Sequence, residues 1–217
     1  NFFKLGGHSL LATQVISRIR NHYNIDIPLR ALFERPSIAT LSPLVESLTH
    51  NNIFSSSPPL VPMERKGPIP LSFAQQRLWL LDQLLPDVVL YNIPIAVKLK
   101  GPLNIPIFEK ALSILIERHE CLRTIFPSAE GKAYQKILPS LTINLTESAL
   151  DLSNFKKKKQ RSTIESIVYK EANKQFLLAT GPLIRVKLLT LSQMKHIFLI
   201  TIHHIISDGW SIDIFFR

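Results

Sequence analysis

The sequence predicts two folds in one chain: a small all-α module over residues 1–50 and a layered α/β module over 69–217, joined by a Ser/Pro-rich linker at 51–68. Three observations predict it. Apolar residues before position 50 recur at spacings of three and four, the period of a helix face. Asn51, Asn52, Ser55, Ser56, Ser57, Pro58, Pro59, Pro62 and Pro68 then crowd together, a composition with little to bury and much that refuses helix. Beyond them, strand-like alternation interleaves with helical runs, the pattern of layered helices and sheet. With 217 residues, 46% of them hydrophobic and 19% charged, the chain can bury a core, which excludes wholesale disorder. No collagen period and no repeat at fixed spacing is present.

In the first module Leu11, Val15, Ile16 and Ile19 mark a helix that ends near Asn21 to Asn24. Leu29, Leu32 and Phe33 suggest a short second helix. A third begins at Ser37 as N-cap, with Ile38, Leu41, Leu44, Val45 and Leu48 on one face. Pro43 should kink it, or Ser42 and Pro43 should restart it as a cap and first-turn pair. A unit of some fifty residues is marginal alone, and the start at Asn1 and stop at Arg217 both read as cuts through a longer polypeptide.

In the second module Ser72 to Leu85 reads as a helix closed by Pro86. Ile93, Ile95, Val97 and Leu99 alternate and end in Lys100, Gly101 and Pro102, a strand and a turn. Phe108, Leu112, Leu115, Ile116 and His119 mark a helix, Leu122 to Phe126 a strand, and Ile164 to Phe176 a further helix. Leu183 to Leu189 is a strand in which Ile184, Val186 and Leu188 oppose Arg185 and Lys187. His196 to Ile206 is almost unbroken apolar and β-branched, the mark of a central strand buried on both faces.

Charge narrows the partners. The net +10 divides into +2 before position 58 and +8 after it, and four of the later positives are the run Lys156 to Lys159. Phe155 is the only aromatic neighbour of that run, so the interleaving of a single-strand stacking groove is missing and nucleic acid is not the expected partner. A solvated loop or helix start is expected there instead. The single cysteine, Cys121, cannot form an internal disulfide, which fits a reducing, cytoplasmic setting. The stretch from Ile197 to Ile202 is far short of the roughly 20 residues of a membrane span, so no membrane helix is expected.

The candidate chemistry of the first module lies in Leu5, Gly6, Gly7, His8, Ser9 and Leu10. Two glycines allow a tight turn, and Ser9 then sits at or near a helix start, where a cap is one reading. Unpaired N–H groups and the positive dipole end would also favour a phosphate esterified to Ser9. This string, the amphipathic helix behind it and the Phe33-Glu34-Arg35-Pro36-Ser37-Ile38 stretch resemble the carrier (thiolation) domain of nonribosomal peptide synthetases. The resemblance implies that Ser9 carries 4′-phosphopantetheine, attached by a phosphopantetheinyl transferase. It also implies that the family's first helix lies upstream of this chain, and Pro43 departs from the usual last helix.

Three clusters stand out in the second module: Ser72, Ala74, Gln75, Arg77, Leu78, Trp79 and Leu81; then Arg118, His119, Glu120, Leu122, Arg123, Thr124 and Phe126; then His203, His204, Asp208, Gly209, Trp210 and Ser211. Adjacent strand histidines point to opposite faces, so one of the two can face a given cavity. Such a pair does not easily converge on one metal ion with Asp208, and no metal is expected. A histidine is suited to take or guide a proton near neutral pH. Asp208 before Gly209 reads as a carboxylate buried at a corner and needing a cation, with Arg123 or Arg118 as candidates.

The third cluster, with the first two in order, resembles the condensation domain of the same synthetases, whose pattern is His-His-x-x-x-Asp-Gly within the wider chloramphenicol acetyltransferase-like acyltransferases. The resemblance implies that residues 69–217 are the N-terminal lobe of such a domain. It further implies that His204 is the active-site residue, with Gly209 beside the reacting groups. His203 and Asp208 would then be structural support, with Arg123 the ion-pair partner of Asp208 and Arg118 nearby. The implied activity is amide formation between a donor thioester and an acceptor amine, in company with neighbouring adenylation and carrier domains. Direct succession of carrier and condensation modules suggests that the donor keeps the stereochemistry with which it was loaded. The implied second lobe is not in these residues, so the piece alone is expected not to form peptide bonds. Two other readings remain open from the residues: a stand-alone acyltransferase using coenzyme A thioesters, which would not need Ser9, and a carrier or docking module without catalysis.

Overall fold

The glycine pair at positions 6 and 7 shapes the start of the first unit. Gly6 has φ +94°, in the left-handed region, and a Cβ at Gly7 would lie 2.4 Å from the Phe2 ring and 2.6 Å from the Phe2 carbonyl oxygen. Phe2 is held there by its N–H donating to the Pro36 carbonyl. Helix α1, Ser9–Tyr23, follows and stops at Asn24 in the left-handed conformation. Helix α2 spans Arg30–Glu34 and α3 spans Ile38–His50. Ser37 caps α3: its Oγ accepts the Thr40 N–H, and Thr40 Oγ1 accepts the Ser37 N–H in return. Helix α3 runs through Pro43 as one element, so the restart at Ser42 does not occur; Ser42 Oγ donates to the Ile38 carbonyl one turn back. Ala12, Ile16, Ile25, Ile27, Ala31, Leu32 and Leu41 form the core of this unit.

This is a computed structural model that describes residues 1–50, 61–62, 64–65, 67–85 and 88–216. The chain divides into two compact units, Asn1–Glu64 and Arg65–Arg217. Most of the linker predicted at 51–68 lies outside the described residues.

The second unit opens on helix α4, Phe73–Leu84, with a full capping box between Ser72 and Gln75. Strand β1, Asn92–Lys100, shows the predicted alternation of half-buried and exposed residues. Helix α5, Ile105–Arg118, is capped by Asn104. A 3-10 turn at Glu120–Arg123 and a two-residue strand β2, Thr124–Ile125, replace the strand expected over Leu122 to Phe126. Strands β3, Ser128–Ala129, and β4, Lys132–Ala133, form a hairpin whose turn residues Glu130 and Gly131 both have positive φ. Strand β5, Lys136–Ile137, pairs with β2. Helix α6, Leu145–Ser148, leads to β6, Leu150–Asp151, and helix α7 covers Lys157–Ala172. Strands β7, Ile184–Ser192, and β8, Lys195–His203, and helix α8, Gly209–Phe215, complete the unit.

The main sheet has the order β1-β8-β7-β6. β8 is antiparallel to both neighbours, and β6 runs parallel to β7 through the crossover helix α7. From His196 to His203 every residue of β8 is buried. Phe198, Ile200 and Ile202 join Leu112 and Ile116 of α5 on one face. Ile197 and Leu199 pack on the other with Leu189, backed by Ile164, Ile167 and Val168 of α7. The mixed helix-and-sheet class and the doubly buried central strand are therefore as predicted. Among the described residues no helix is long and apolar enough to cross a membrane.

Candidate functional site

The end of β8 delivers the histidine pair to opposite sides, as a period of two requires. His203 is 5% exposed, with the Phe176 ring edge-on at 5.9 Å and the Tyr91 ring at 6.3 Å. Its Nδ1 accepts the Ile205 N–H at 3.1 Å, so that nitrogen is unprotonated. Burial first, and then the charges of His204 and Arg185, push this imidazole down to about 4, which keeps it neutral at physiological pH.

His204 faces solvent instead. Its N–H donates to the Tyr91 carbonyl at 2.8 Å, and its side chain opens onto a cavity of about 500 Å³. Ala74, Arg77 and Leu78 of α4, Tyr91 and the 205–208 segment line the same cavity. Gln75 ties its two walls together: its side-chain N–H donates to the Ile205 carbonyl at 3.4 Å while its Oε1 accepts the Ser72 N–H. The first and third sequence clusters thus meet in space. A solvent-facing imidazole stands at the edge of a cleft, on a backbone fixed at residues 204 and 205.

Asp208 and the arginines are arranged differently from the expectation. Asp208 is exposed and caps α8, its Oδ1 accepting the Ser211 N–H at 2.8 Å and the Ser211 hydroxyl at 2.7 Å. Partial desolvation works against its ionisation, but the Ser211 hydrogen bonds and the nearby His204 outweigh it and hold the carboxyl below its usual range. Arg123 does not pair with it. The Arg123 guanidinium donates to the Leu138 and Glu117 carbonyls and lies 3.7 Å from Glu120, which also forms a two-pronged pair with Arg65. The reason is local: a carboxylate satisfied as a cap at an exposed corner requires no buried cation, and the Arg123 fork is already occupied by carbonyls at the α5–β2 corner. Arg118 is exposed at the end of α5, and neither arginine lines the cavity. Gly209 is the first residue of α8, next to the cap and outside the cavity lining.

Tyr91 was not legible as a site residue. It carries no motif, and it reaches the site because β1 pairs Asn92 with His203, which places Tyr91 opposite His204. Only the register reveals that.

In the first unit Ser9 is exposed at position N1 of α1, one residue past its N-cap His8. The helical ladder begins with the Ala12 N–H to the His8 carbonyl, so the N–H groups of Ser9, Leu10 and Leu11 lie ahead of it. An exposed hydroxyl at the positive end of a 15-residue helix fits a phosphodiester. Phosphopantetheine, when attached, supplies a flexible thiol that holds acyl groups as thioesters. This chain contributes the hydroxyl, the helix end and the turn that exposes them.

Each of the two units matches a known family. Residues 1–45 match the family of the phosphopantetheine attachment site, and residues 65–217 match the condensation domain family. One of the linear gramicidin synthase proteins of Brevibacillus parabrevis is 45% identical over 215 residues, which is 99% of this chain and 3% of that protein. Cyclosporin synthetase simA of Tolypocladium inflatum is 42% identical over 217 residues, 99% of this chain and 1% of that protein. The chain thus spans a few per cent of the length of these curated relatives. Among solved structures, the X-domain in its complex with OxyB from teicoplanin biosynthesis superposes with a TM-score of 0.65 at 27% identity, covering 75% of this chain and 34% of that one. The starter condensation domain of rhizomide synthetase RzmA gives 0.60 at 26% identity, covering 67% and 36%. With residues 65–217 matched in this way, the chain belongs to the condensation domain family, and a phosphopantetheine attachment site precedes that domain.

Proposed function

We propose that this chain works within a nonribosomal peptide synthetase, where a helical carrier over residues 1–50 presents an acyl or aminoacyl thioester at Ser9 and residues 69–217 help join such a donor to the amine of the next building block. The observation that carries the reading is the placement of His204 on the open cavity, with its main chain fixed by Tyr91 and its neighbour His203 held neutral. In the reaction the acceptor nitrogen bonds to the donor carbonyl carbon, the carbon–sulfur bond breaks, and the thiol leaves with a proton. The acceptor arrives as an ammonium and must lose a proton to become nucleophilic. His204 is the imidazole on the cavity wall that accepts or directs that proton. Arg77, which lines the same cavity, would offset charge that develops on the carbonyl oxygen. Tethering both reactants removes much of the entropy cost of their meeting, so modest proton help suffices. Asp208 supports the site by capping α8, of which Gly209 is the first residue. The partners on this reading are the adjacent adenylation and carrier domains, a phosphopantetheinyl transferase and the thioester substrates.

Attachment tests the reading at its first step. After incubation of the parent protein with coenzyme A and a broad-specificity phosphopantetheinyl transferase, peptide mass spectrometry should place one phosphopantetheine on the peptide containing Ser9 and none in Ser9→Ala. An unmodified Ser9 in the folded parent protein would overturn it.

A further inference from the structure

Behind the buried face of His203 lies a set of side chains that none of the motifs includes. Helix α7 ends at Ala172, so its last carbonyls have no helical partner. Two side chains from the sheet supply partners for the Glu171 and Ala172 carbonyls and for carbonyls just past the helix end. Arg185 of β7 donates to the Glu171 carbonyl at 3.2 Å, the Lys174 carbonyl at 2.7 Å and the Gln175 carbonyl at 3.3 Å. Asn92 of β1 donates to the Ala172 carbonyl at 2.7 Å and the Lys174 carbonyl at 3.0 Å. The chain gathered in this way carries Phe176. The Arg185 guanidinium lies 3.6 Å over one face of that ring, and the ring meets His203 edge-on. Asn92 is also the direct cross-strand partner of His203. Glu171 balances the half-buried cation, 3.6 Å from Arg185 Nε and 2.9 Å from Lys187 Nζ.

We propose that Arg185 and Asn92 form a clamp that positions the histidine pair: by seating the 172–176 segment and its Phe176 ring on His203, they fix the ring whose Nδ1 holds the Ile205 N–H, and through it the backbone that presents His204 to the cavity. Arg185 is a positioning residue here and touches no substrate. A lysine cannot replace it, because three carbonyls and a ring face require the planar fork. The clamp rests on the reading of His204 as the active-site residue.

The test is single-turnover amide formation across a range of pH in the full synthetase, with loading at Ser9 as the control. In Arg185→Met the plateau rate should fall by at least about tenfold, the scale expected when a reacting group loses its placement. Its acid limb should also move to higher pH, because a positive charge that opposes protonation of His203 is gone. Among the described residues the charges that act on His203 are those of His204 and Arg185, with Glu171 paired to Arg185 and the Tyr91 ring nearby, and of these only Arg185 is changed. Arg185→Lys keeps the charge and loses the fork, so its plateau should fall while its acid limb stays in place; it also decides the matter if the methionine variant does not fold. A wild-type profile in either variant, or in Arg185→Met one scaled down equally at every pH, would overturn the clamp. Full activity in His204→Ala would instead overturn the reading of the site beneath it.

Discussion

His203 and His204 are neighbours with opposite environments, and the difference sets a pH response. The His203 ring titrates at 6.5 in an unfolded chain and about 4 in the fold. Between those values the unfolded state takes up a proton that the folded state refuses. Stability from this group is therefore complete above 6.5 and declines as pH falls toward 4, by on the order of 3 kcal/mol across the interval. Urea midpoints of the second unit should fall between pH 7 and pH 5, and His203→Gln, which offers the Ile205 N–H a non-titrating acceptor, should flatten that slope. Equal slopes would contradict the neutral, buried assignment. Asp208 acts differently: as the cap of α8 it should cost about 1 kcal/mol on replacement by alanine and much less by asparagine. In the first unit, Gly7→Ala should destabilise by about 1–3 kcal/mol, because its Cβ would meet both the ring and the carbonyl of Phe2. At this scale the surroundings of the motifs were legible: His204 opens onto a cavity beside residues of the α4 cluster, and Ser9 stands exposed at a helix start. The Arg123–Asp208 pair was misread because a sequence shows which charges exist but not which are already satisfied by caps and carbonyls. Tyr91, Asn92 and Arg185 could not be read at all, because strand register and the chain's return from α7 bring them to the histidines.

Among the elements, strong periodicity was decisive where tertiary burial reinforced it. β8, β1 and α5 appear as predicted because each has a complete apolar face or run. Helix α7 begins at Lys157 rather than near Ile164, since its first two turns are solvated Lys, Gln and Arg and carry no apolar period. Gln160 anchors that end by donating to the Leu152 and Leu191 carbonyls. The parallel pairing of β6 with β7 spans two residues and leaves no local signature. The central strand carries the fold, so Ile200→Ala or Leu188→Ala should lower the stability of the second unit by about 2–5 kcal/mol in chemical denaturation. The opposite sign is expected in α3. Pro43 is exposed inside that helix and lacks the N–H that would meet the Ala39 carbonyl, so Pro43→Ala should raise the stability of the first unit by about 1–3 kcal/mol.

For the whole chain, the two units have separate cores, and that of the first is much the smaller. Calorimetry should therefore resolve two transitions, the lower one moved by Gly7→Ala and Pro43→Ala and the upper one by substitutions in β8; a single transition displaced by both sets would contradict independent cores. On the proposed function the division of labour is also separable by chemistry, with attachment at Ser9 and bond formation at His204. The most direct measurement follows the thioester-bound species by mass spectrometry in a single turnover of the intact synthetase, comparing wild type, Ser9→Ala and His204→Ala. The account predicts that wild type moves the donor onto the acceptor as an amide, that Ser9→Ala never holds the donor, and that His204→Ala holds the donor at Ser9 and passes it on at least about a hundredfold more slowly. Amide formation at the wild-type rate in His204→Ala, or undiminished donor loading in Ser9→Ala, would contradict it.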